Sequence, residues 1–160
     1  MKRLCALLGT VILALCAAAA STETPAQLNA NKRLVLEFSR QVFDARDTSK
    51  AKNFLAEDVI EHNPNVPSGL KGFVDTFDKI WKPGPHAKPP VPDADLMQGV
   101  QKPPVAVIAE SDKVLVVLKI KRRDPGARSK TYDSFWFDLY RIKDAKVTEH
   151  WDGALKGAPP

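Results

Sequence analysis

The spacing of apolar residues predicts helices in the first half of the chain. Residues 29–47 carry apolar side chains at helical spacing, which is typical of one buried helix stripe. These side chains are Leu34, Val35, Phe38, Val42 and Phe43. Asp47, Thr48 and Ser49 can cap a second, short helix over residues 50–55. Residues 69–81 predict a third helix, with Phe73, Phe77, Ile80 and Trp81 on its buried side.

The second half of the chain has the pattern of β-strands. A short extended piece at 57–62 ends in a turn-rich loop at 63–69. Apolar and β-branched residues then dominate four segments, 105–110, 113–123, 131–142 and 146–152. Helices followed by a run of antiparallel strands predict an α+β fold, in which the helices pack on one face of a curved sheet.

The N-terminus has the pattern of a secretory signal peptide over residues 1–20. Lys2 and Arg3 precede an apolar run that ends in small residues, and we expect cleavage near Ala20. An uncleaved anchor is disfavoured because the apolar run is marginal for a bilayer. A lipoprotein anchor at Cys16 is an alternative, disfavoured by the bulky Leu15 before it. The protein is therefore expected to be exported, either periplasmic or secreted.

The remaining chain is expected to form one domain over residues 29–153, between disordered segments at 21–28 and 154–160. Both cysteines, Cys5 and Cys16, lie in the leader, so the mature chain has no thiol for disulfides, nucleophilic catalysis or metal binding. Loss of Lys2 and Arg3 lowers the formal charge from +5 to +3. This mild charge does not favour a nucleic-acid partner, and no membrane association is expected after cleavage.

A proline-rich insertion separates the helices from most of the strands. Residues 82–104 contain seven prolines, which stiffen the backbone and remove amide donors. Long loops in compact domains are commonly surface insertions, binding loops or lids. The first interpretation is a surface insertion, and the second is a lid over a binding site that would use Leu96 and Met97.

Asp138 is the most unusual residue of the strand region. Alternation places it on one strand face with Trp136 and Tyr140. A carboxylate among bulky apolar groups is costly unless it is paired or hydrogen-bonded. One interpretation is an acid/base that exchanges protons with a ligand. The structural alternative is a buried aspartate bonded to Arg141, Arg123 or a helix amide.

Two distant segments carry a family resemblance. Residues 59–69 (VIEHNPNVPSG), and DLYR at 138–141 followed by KVTEHWD at 146–152, resemble the SnoaL-like polyketide cyclase family of the NTF2-like superfamily. The likeness covers roughly residues 29–153. It implies an NTF2-like cone, with three N-terminal helices packed on a strongly curved antiparallel sheet around an apolar pocket. It also implies a homodimer formed through the sheet.

The resemblance further implies a chemistry without metal or organic cofactor. Family cyclases perform an intramolecular aldol condensation with an aspartate as acid/base, and the matching residue is Asp138. His62 and His150 fall in the same motifs and would orient or share the proton. The expected pocket residues are Trp136, Tyr140, Trp81, Phe77 and Asp152. Two histidines and a carboxylate could suit non-haem iron, but a close ligand pair such as HExxH is missing, so no metal is expected.

The chain also departs from the family pattern. The segment 114–121 lacks the histidine that family members often place there, and Asp144-Ala145 replaces the usual Asp-Gly of the last hairpin. A type I′ turn needs positive φ at both central residues, so alanine disfavours it. Two hypotheses remain: an exported enzyme acting on a small hydrophobic carbonyl compound, and a non-catalytic ligand-binding or protein-interaction module.

Overall fold

A computed structural model describes residues 23–82 and 103–157 of the 160-residue chain. The predicted signal peptide and nearly all of the proline-rich insertion lie outside these residues. Three helical bodies are present, as predicted. Helix α1, Pro25–Phe38, continues as a π-helical turn, Ser39–Asp44, and is followed by a 3₁₀ helix, Thr48–Asn53, and by helix α2, Leu70–Trp81.

Helix α1 begins four residues earlier than predicted, so residues 25–28 are helical rather than disordered. Thr24 caps the helix by accepting a hydrogen bond from the Gln27 amide, and Pro25 occupies the first turn, where its missing N–H costs nothing. The π-helical turn begins where the Ser39 hydroxyl donates to the Val35 carbonyl at 3.0 Å. Such bonds compete with the regular helix ladder.

The strands form one sheet. They are β1 (Leu55–Glu61), β2 (Ala106–Glu110), β3 (Lys113–Asp124), β4 (Ala127–Lys143) and β5 (Lys146–Trp151), and their order is β1-β5-β4-β3-β2. Strand β1 pairs with β5 in parallel, whereas the other pairs are antiparallel. The expected all-antiparallel sheet is therefore wrong for this edge. No hairpin joins β1 to β5, so hairpin geometry does not fix their relative direction.

The core lies between the helices and the inner face of the sheet. The inner face carries the even-numbered residues of β3 and β4, among them Val114, Val116 and Tyr140, all buried. Phe38 of α1 lies at the centre of an aromatic cluster. Its ring contacts those of Phe43, Phe54, Phe73 and Tyr140. The predicted helix stripe is thus confirmed as buried, with Val35 and Phe38 in α1 and Val42 in the π-helical turn.

The loop between β1 and α2 depends on a glycine. Gly69 has φ +89, a conformation that other residues rarely adopt. Its amide donates to the Val59 carbonyl at 2.7 Å, which ties the start of α2 to β1. Three residues on, a Cβ at position 72 would collide with the Pro67 carbonyl. Gly69 therefore joins the start of α2 to β1, and Gly72 lets the first turn of α2 lie against the preceding loop at Pro67.

The β4–β5 hairpin corrects a second expectation. Asp144 and Ala145 both have positive φ, +51 and +54, and Lys143 pairs with Lys146 across a two-residue loop. The chain thus forms the kind of turn that alanine disfavours. The twist of the two strands requires this backbone, and the cost of one Cβ does not prevent it.

A β-bulge follows in β5. Arg141 pairs with Glu149 while Ile142 pairs with Val147, so Thr148 is the extra residue. Val147 and His150 are three residues apart, yet both face the inner side of the sheet. A regular strand alternates its faces and would not allow this. The bulge at Thr148 therefore turns His150 inward.

The described tail is fixed to the domain. Asn65 accepts a hydrogen bond from the Gly157 amide and donates to the Leu155 carbonyl. Residues 154–157 are thus placed, while 158–160 lie outside the described part of the chain. Within the described residues, no helix has the length and hydropathy needed to cross a membrane.

Candidate active site

The two signature segments lie side by side on the parallel edge of the sheet. Glu61 of β1 is the register partner of His150 of β5, and both side chains face inward. On the opposite face, His62 pairs with Glu149 at 2.8 Å. One residue further along both segments, the side-chain amide of Asn63 donates to the Asp152 carboxylate at 2.8 Å. The two motifs therefore interlock residue by residue.

The inner residues form a chain of two carboxylates joined by an imidazole. Nδ1 of His150 lies 2.8 and 3.0 Å from the two oxygens of Glu61. Its Nε2 lies 3.2 Å from Oδ1 of Asp138. All three side chains are largely buried, with exposed fractions of 15% for His150, 8% for Glu61 and 12% for Asp138. Both ring nitrogens thus face an acceptor.

This arrangement holds the imidazole in its charged form. Desolvation acts to lower the pKa of His150, but hydrogen bonds to Asp138 and Glu61 and the charges of these carboxylates outweigh it and raise the pKa to about 10. At neutral pH, His150 is therefore an imidazolium that donates through both nitrogens. It can orient both carboxylates and offset part of their negative charge, but it cannot accept a proton.

Asp138 is held by a second donor. The indole Nε1–H of Trp136 donates to Oδ1 at 2.9 Å, the same oxygen that accepts from His150. The proposed bond to Arg141 is wrong, because Arg141 lies on the outer face of β4 and pairs with Glu149 and Asp112. Two donors on Oδ1 fix the orientation of the carboxylate. Oδ2 is then the oxygen that can contact a ligand.

Tyr140 stacks on His150, with ring centroids 4.8 Å apart and planes 22° from parallel. Burial raises the pKa of the Tyr140 phenol well above its ordinary value, and the nearby charges of Asp138, Glu61 and Asp152 raise it further. The phenol therefore keeps its proton at any working pH. The Tyr140 ring adds a flat, neutral surface beside the charged groups of Glu61, His150 and Asp138.

The charged side chains of Glu61, His150 and Asp138 line a cavity of about 560 Å³ between the helices and the sheet. Its walls are largely aromatic and aliphatic, supplied by Phe43 and Phe73 from the helical side and by Leu118 and Ile120 from β3. The residues predicted for the pocket all line it, namely Trp136, Tyr140, Trp81, Phe77 and Asp152. Pro103 and Pro104, the described end of the proline-rich insertion, line it as well.

His62 does not lie in the cavity lining. It is exposed on the outer face, where its ring stacks on Trp151 with centroids 4.8 Å apart. The structure thus brings Asp138 and His150 together and leaves His62 apart from them. Alternation explains the split, since Glu61 and His62 must point to opposite faces and Glu61 takes the inner one.

Glu61 is the site residue that sequence reasoning missed. Its neighbour His62 drew attention because histidine is the commoner proton carrier. The signal was the pair of motifs E-H-N and E-H-W-D, in which a parallel alignment of Glu61 with His150 also places His62 beside Trp151 and Asn63 beside Asp152. That alignment requires a parallel β1–β5 pair, which the expected antiparallel sheet did not contain.

Three side chains could in principle hold a cation. Donor atoms of Glu61, His150 and Asp152 lie within 4.8 Å of one another. A metal needs a neutral imidazole with a free lone pair. His150 is protonated and hydrogen-bonded at both nitrogens. A metal would therefore have to displace a proton and break the hydrogen bonds to Glu61 and Asp138. The donor set fits a proton network better than a metal.

Comparisons with known proteins agree with this geometry. Residues 35–150 match the family model of the SnoaL-like domain. The search of curated proteins returned no match. Among solved structures, TsrD from Streptomyces laurentii is similar with a TM-score of 0.52 and 16% identity, over 78% of this chain and 87% of that one.

Two further structures share the fold. A SnoaL-like polyketide cyclase from Agrobacterium tumefaciens has a TM-score of 0.52 and 12% identity, over 77% of this chain and 89% of its own. TerC, co-crystallised with polyporic acid, has a TM-score of 0.53 and 18% identity, over 79% and 92%. Identities this low speak for the fold alone, while the family model covers most of the chain. The chain is therefore a member of the SnoaL-like domain family, with an NTF2-like α+β fold.

Proposed function

We propose that this SnoaL-like domain binds a small hydrophobic carbonyl compound and moves protons on it with Asp138, without a cofactor. The observation that carries the proposal is the convergence of Asp138 and His150 on one aromatic-walled cavity. Apolar cavities with a few convergent polar groups are the usual form of small-molecule sites. TerC, a protein of similar fold, was co-crystallised with polyporic acid, which supports a ligand of this general kind.

In this proposal, Asp138 is the acid/base and His150 is a positioning residue. The Asp138 carboxylate takes a proton from a carbon next to a carbonyl, and the resulting enolate carbon bonds to a second carbonyl carbon of the same molecule. The alkoxide so formed recovers the proton from Asp138. The His150 imidazolium stays charged throughout and fixes Oδ1, while the aromatic walls exclude water. Isomerisation or hydrolysis would need the same proton carrier.

A second candidate is a non-catalytic binding module with the same cavity. Strand β3 carries no histidine, and the two carboxylates around His150 prevent it from acting as a base. Such a protein would hold its ligand unchanged. The fold supports both functions, so the chemistry must decide.

The test uses Asp138→Asn with Asp133→Asn as its control. Asp133 lies on the same strand, exposed on the outer face, where it pairs with Lys119 and Lys121. Molecules that co-purify with each protein are identified by mass spectrometry, and the identified compound is incubated with each. We expect Asp138→Asn to retain the compound but convert it at least about 100-fold more slowly, while Asp133→Asn matches the wild type.

Two results would contradict the proposal. Conversion by Asp138→Asn at the wild-type rate would remove Asp138 from the chemistry. Binding without any conversion by the wild type would favour the non-catalytic module.

We also propose that the domain forms a homodimer through the outer face of its sheet. Apolar side chains cover this face on β2, β3 and β4, and three of them, Ile108, Phe135 and Phe137, are about half exposed. The others are Leu115, Val117 and Leu139. An exposed apolar patch of this kind commonly marks an interface.

Export is the remaining proposal. It is supported by the charged, apolar and small-residue pattern of residues 1–20. N-terminal sequencing of the protein recovered from a bacterial periplasm or culture medium should begin near Ser21. A cytosolic product that still begins at Met1 or Lys2 would contradict export.

A further inference from the structure

Arg122 gives the cavity a second polar site, away from the charged chain. Its side chain follows Leu118 and Ile120 on the inner face of β3, and all three line the cavity. The strand is apolar up to Ile120 on this face, so Arg122 is where the β3 wall of the cavity turns cationic. A guanidinium at this place faces whatever occupies the cavity. Arg40 and Arg46 line the cavity from the helical side, and Arg40 pairs there with Glu37.

The Arg122 guanidinium lies over the Trp136 indole ring. Its Cζ lies 5.7 Å from the centroid of the Trp136 ring, a cation–π distance. The indole is itself oriented, because its Nε1–H donates to Oδ1 of Asp138 at 2.9 Å. A cation–π contact does not use the N–H groups of the guanidinium for hydrogen bonds, and these groups are the part that binds carboxylates.

Neighbouring cations on β3 contrast with Arg122. Lys119 and Lys121 point to the outer face, and Asp133 pairs with both, at 2.7 and 2.8 Å. Within residues 23–82 and 103–157, the Arg122 guanidinium contacts the Trp136 ring and forms no ion pair with a carboxylate. A half-buried guanidinium with an aromatic platform is suited to an acidic partner from outside the chain.

The carboxylates near the Nε1 end of the Trp136 indole determine how a ligand is oriented in the cavity. Glu61, Asp138 and Asp152 surround one imidazolium, so this end of the cavity has a formal charge of −2. An anionic group is repelled there and attracted at Arg122. A carbonyl compound with one acidic group would therefore place its acid at Arg122 and its apolar, reactive part toward Asp138.

We propose that Arg122, in cation–π contact with Trp136, is a specificity residue that binds a carboxylate on the ligand. The ligand is then an apolar carbonyl compound that carries a carboxylate. The inference rests on the proposed function, because it assigns the ligand class of the same cavity.

A pair of matched probes tests the assignment. Anilinonaphthalene sulfonate and phenylnaphthylamine share their aromatic skeleton and differ in one anionic group. Binding is followed through the Trp136 indole N–H resonance in proton–nitrogen correlation spectra, because this group lies inside the cavity. A probe bound elsewhere on the protein does not enter the measured affinity.

The variants are Arg122→Gln, Arg122→Lys and Lys121→Gln. Lys121→Gln is the control, since it removes the same charge from the next residue on the opposite face. We expect Arg122→Gln to weaken the sulfonate probe about tenfold, the loss of one charge-assisted contact, and to change the neutral probe less than about twofold. Arg122→Lys keeps the charge without the planar guanidinium, so its affinity for the sulfonate probe should lie between those of the wild type and Arg122→Gln. It replaces Arg122→Gln in the test if that variant does not fold. Lys121→Gln should match the wild type.

The outcomes separate the two proposals. If neither probe binds the wild type, the cavity is not a site for apolar ligands and the proposed function fails together with this inference. If both probes bind and the Arg122 variants weaken them equally or not at all, the inference fails and the proposed function stands.

Discussion

At the scale of single residues, His150 is the group on which the site depends. A protonated histidine between two carboxylates donates to both and offsets one of their two negative charges, so Asp138 keeps one geometry. Burial alone would have made His150 neutral. The site is therefore built from charges that stabilise one another, and losing any one of them leaves the others unpaired in an apolar surrounding.

The shifted pKa of His150 predicts how stability depends on pH. Its pKa is raised from 6.5 to about 10 in the folded protein, so the folded state binds an extra proton between these values. The stabilisation is complete below pH 6.5 and is lost as pH rises toward 10. In urea unfolding, the wild type should lose stability across this range, and His150→Gln should lose less. Equal slopes in the two proteins would contradict the assignment.

The sequence pattern indicated Asp138 together with His150 and Trp136, but it did not indicate Glu61. The aromatic neighbours of Asp138 indicated a buried carboxylate that needs donors, and the structure supplies Trp136 and His150. Glu61 could not be found in the same way, because its role depends on a parallel strand pair formed between residues far apart in sequence. Pattern within one strand does not determine which strand lies beside it.

At the scale of elements, the bulge at Thr148 and the turn at Asp144–Ala145 place the site. The turn sets the β4–β5 register, and the bulge then moves His150 to the inner face, opposite Tyr140. The periodicity of apolar residues predicted where the helices and strands lie. The bulge and the turn, in contrast, depend on the twist of the β4–β5 hairpin. They lie beyond what alternation can predict.

The turn gives a stability prediction. Ala145 has φ +54, where glycine has no Cβ penalty, so Ala145→Gly should stabilise the domain by about 0.5–1 kcal/mol. Ala145→Val should destabilise it, since a β-branched residue fits this region poorly. Thermal unfolding measures both variants. A glycine variant no more stable than the wild type would show that the turn relaxes in solution.

At the scale of the whole molecule, the sheet has two apolar faces with different tasks. Its inner face packs on the helices and lines the cavity, while its outer face leaves Phe135 and Phe137 about half exposed. The family resemblance predicted the cone from two short motifs, whereas helix periodicity and strand alternation predicted pocket residues such as Trp81 and Trp136. The resemblance could not predict the cationic wall at Arg122, which depends on how far β3 and β4 extend beyond the motifs.

The outer face predicts self-association. Phe137→Glu places a charge in the apolar patch and should convert a dimer into a monomer in light-scattering measurements. Tyr132→Glu is the control, because Tyr132 is a similarly exposed aromatic on the other face of β4. A monomeric wild type at micromolar concentration, or a Phe137→Glu protein that remains dimeric, would contradict the proposed interface.

The central claim is that the two signature segments build a buried carboxylate–imidazolium–carboxylate chain at the cavity. Proton–nitrogen correlation spectra of the histidine rings, recorded from pH 6 to 11 and assigned with His150→Gln, test it most directly. We expect both ring nitrogens of His150 to remain protonated at neutral pH and to titrate with a pKa of about 10. A neutral His150 ring at pH 7, or titration near the ordinary histidine value, would contradict the account.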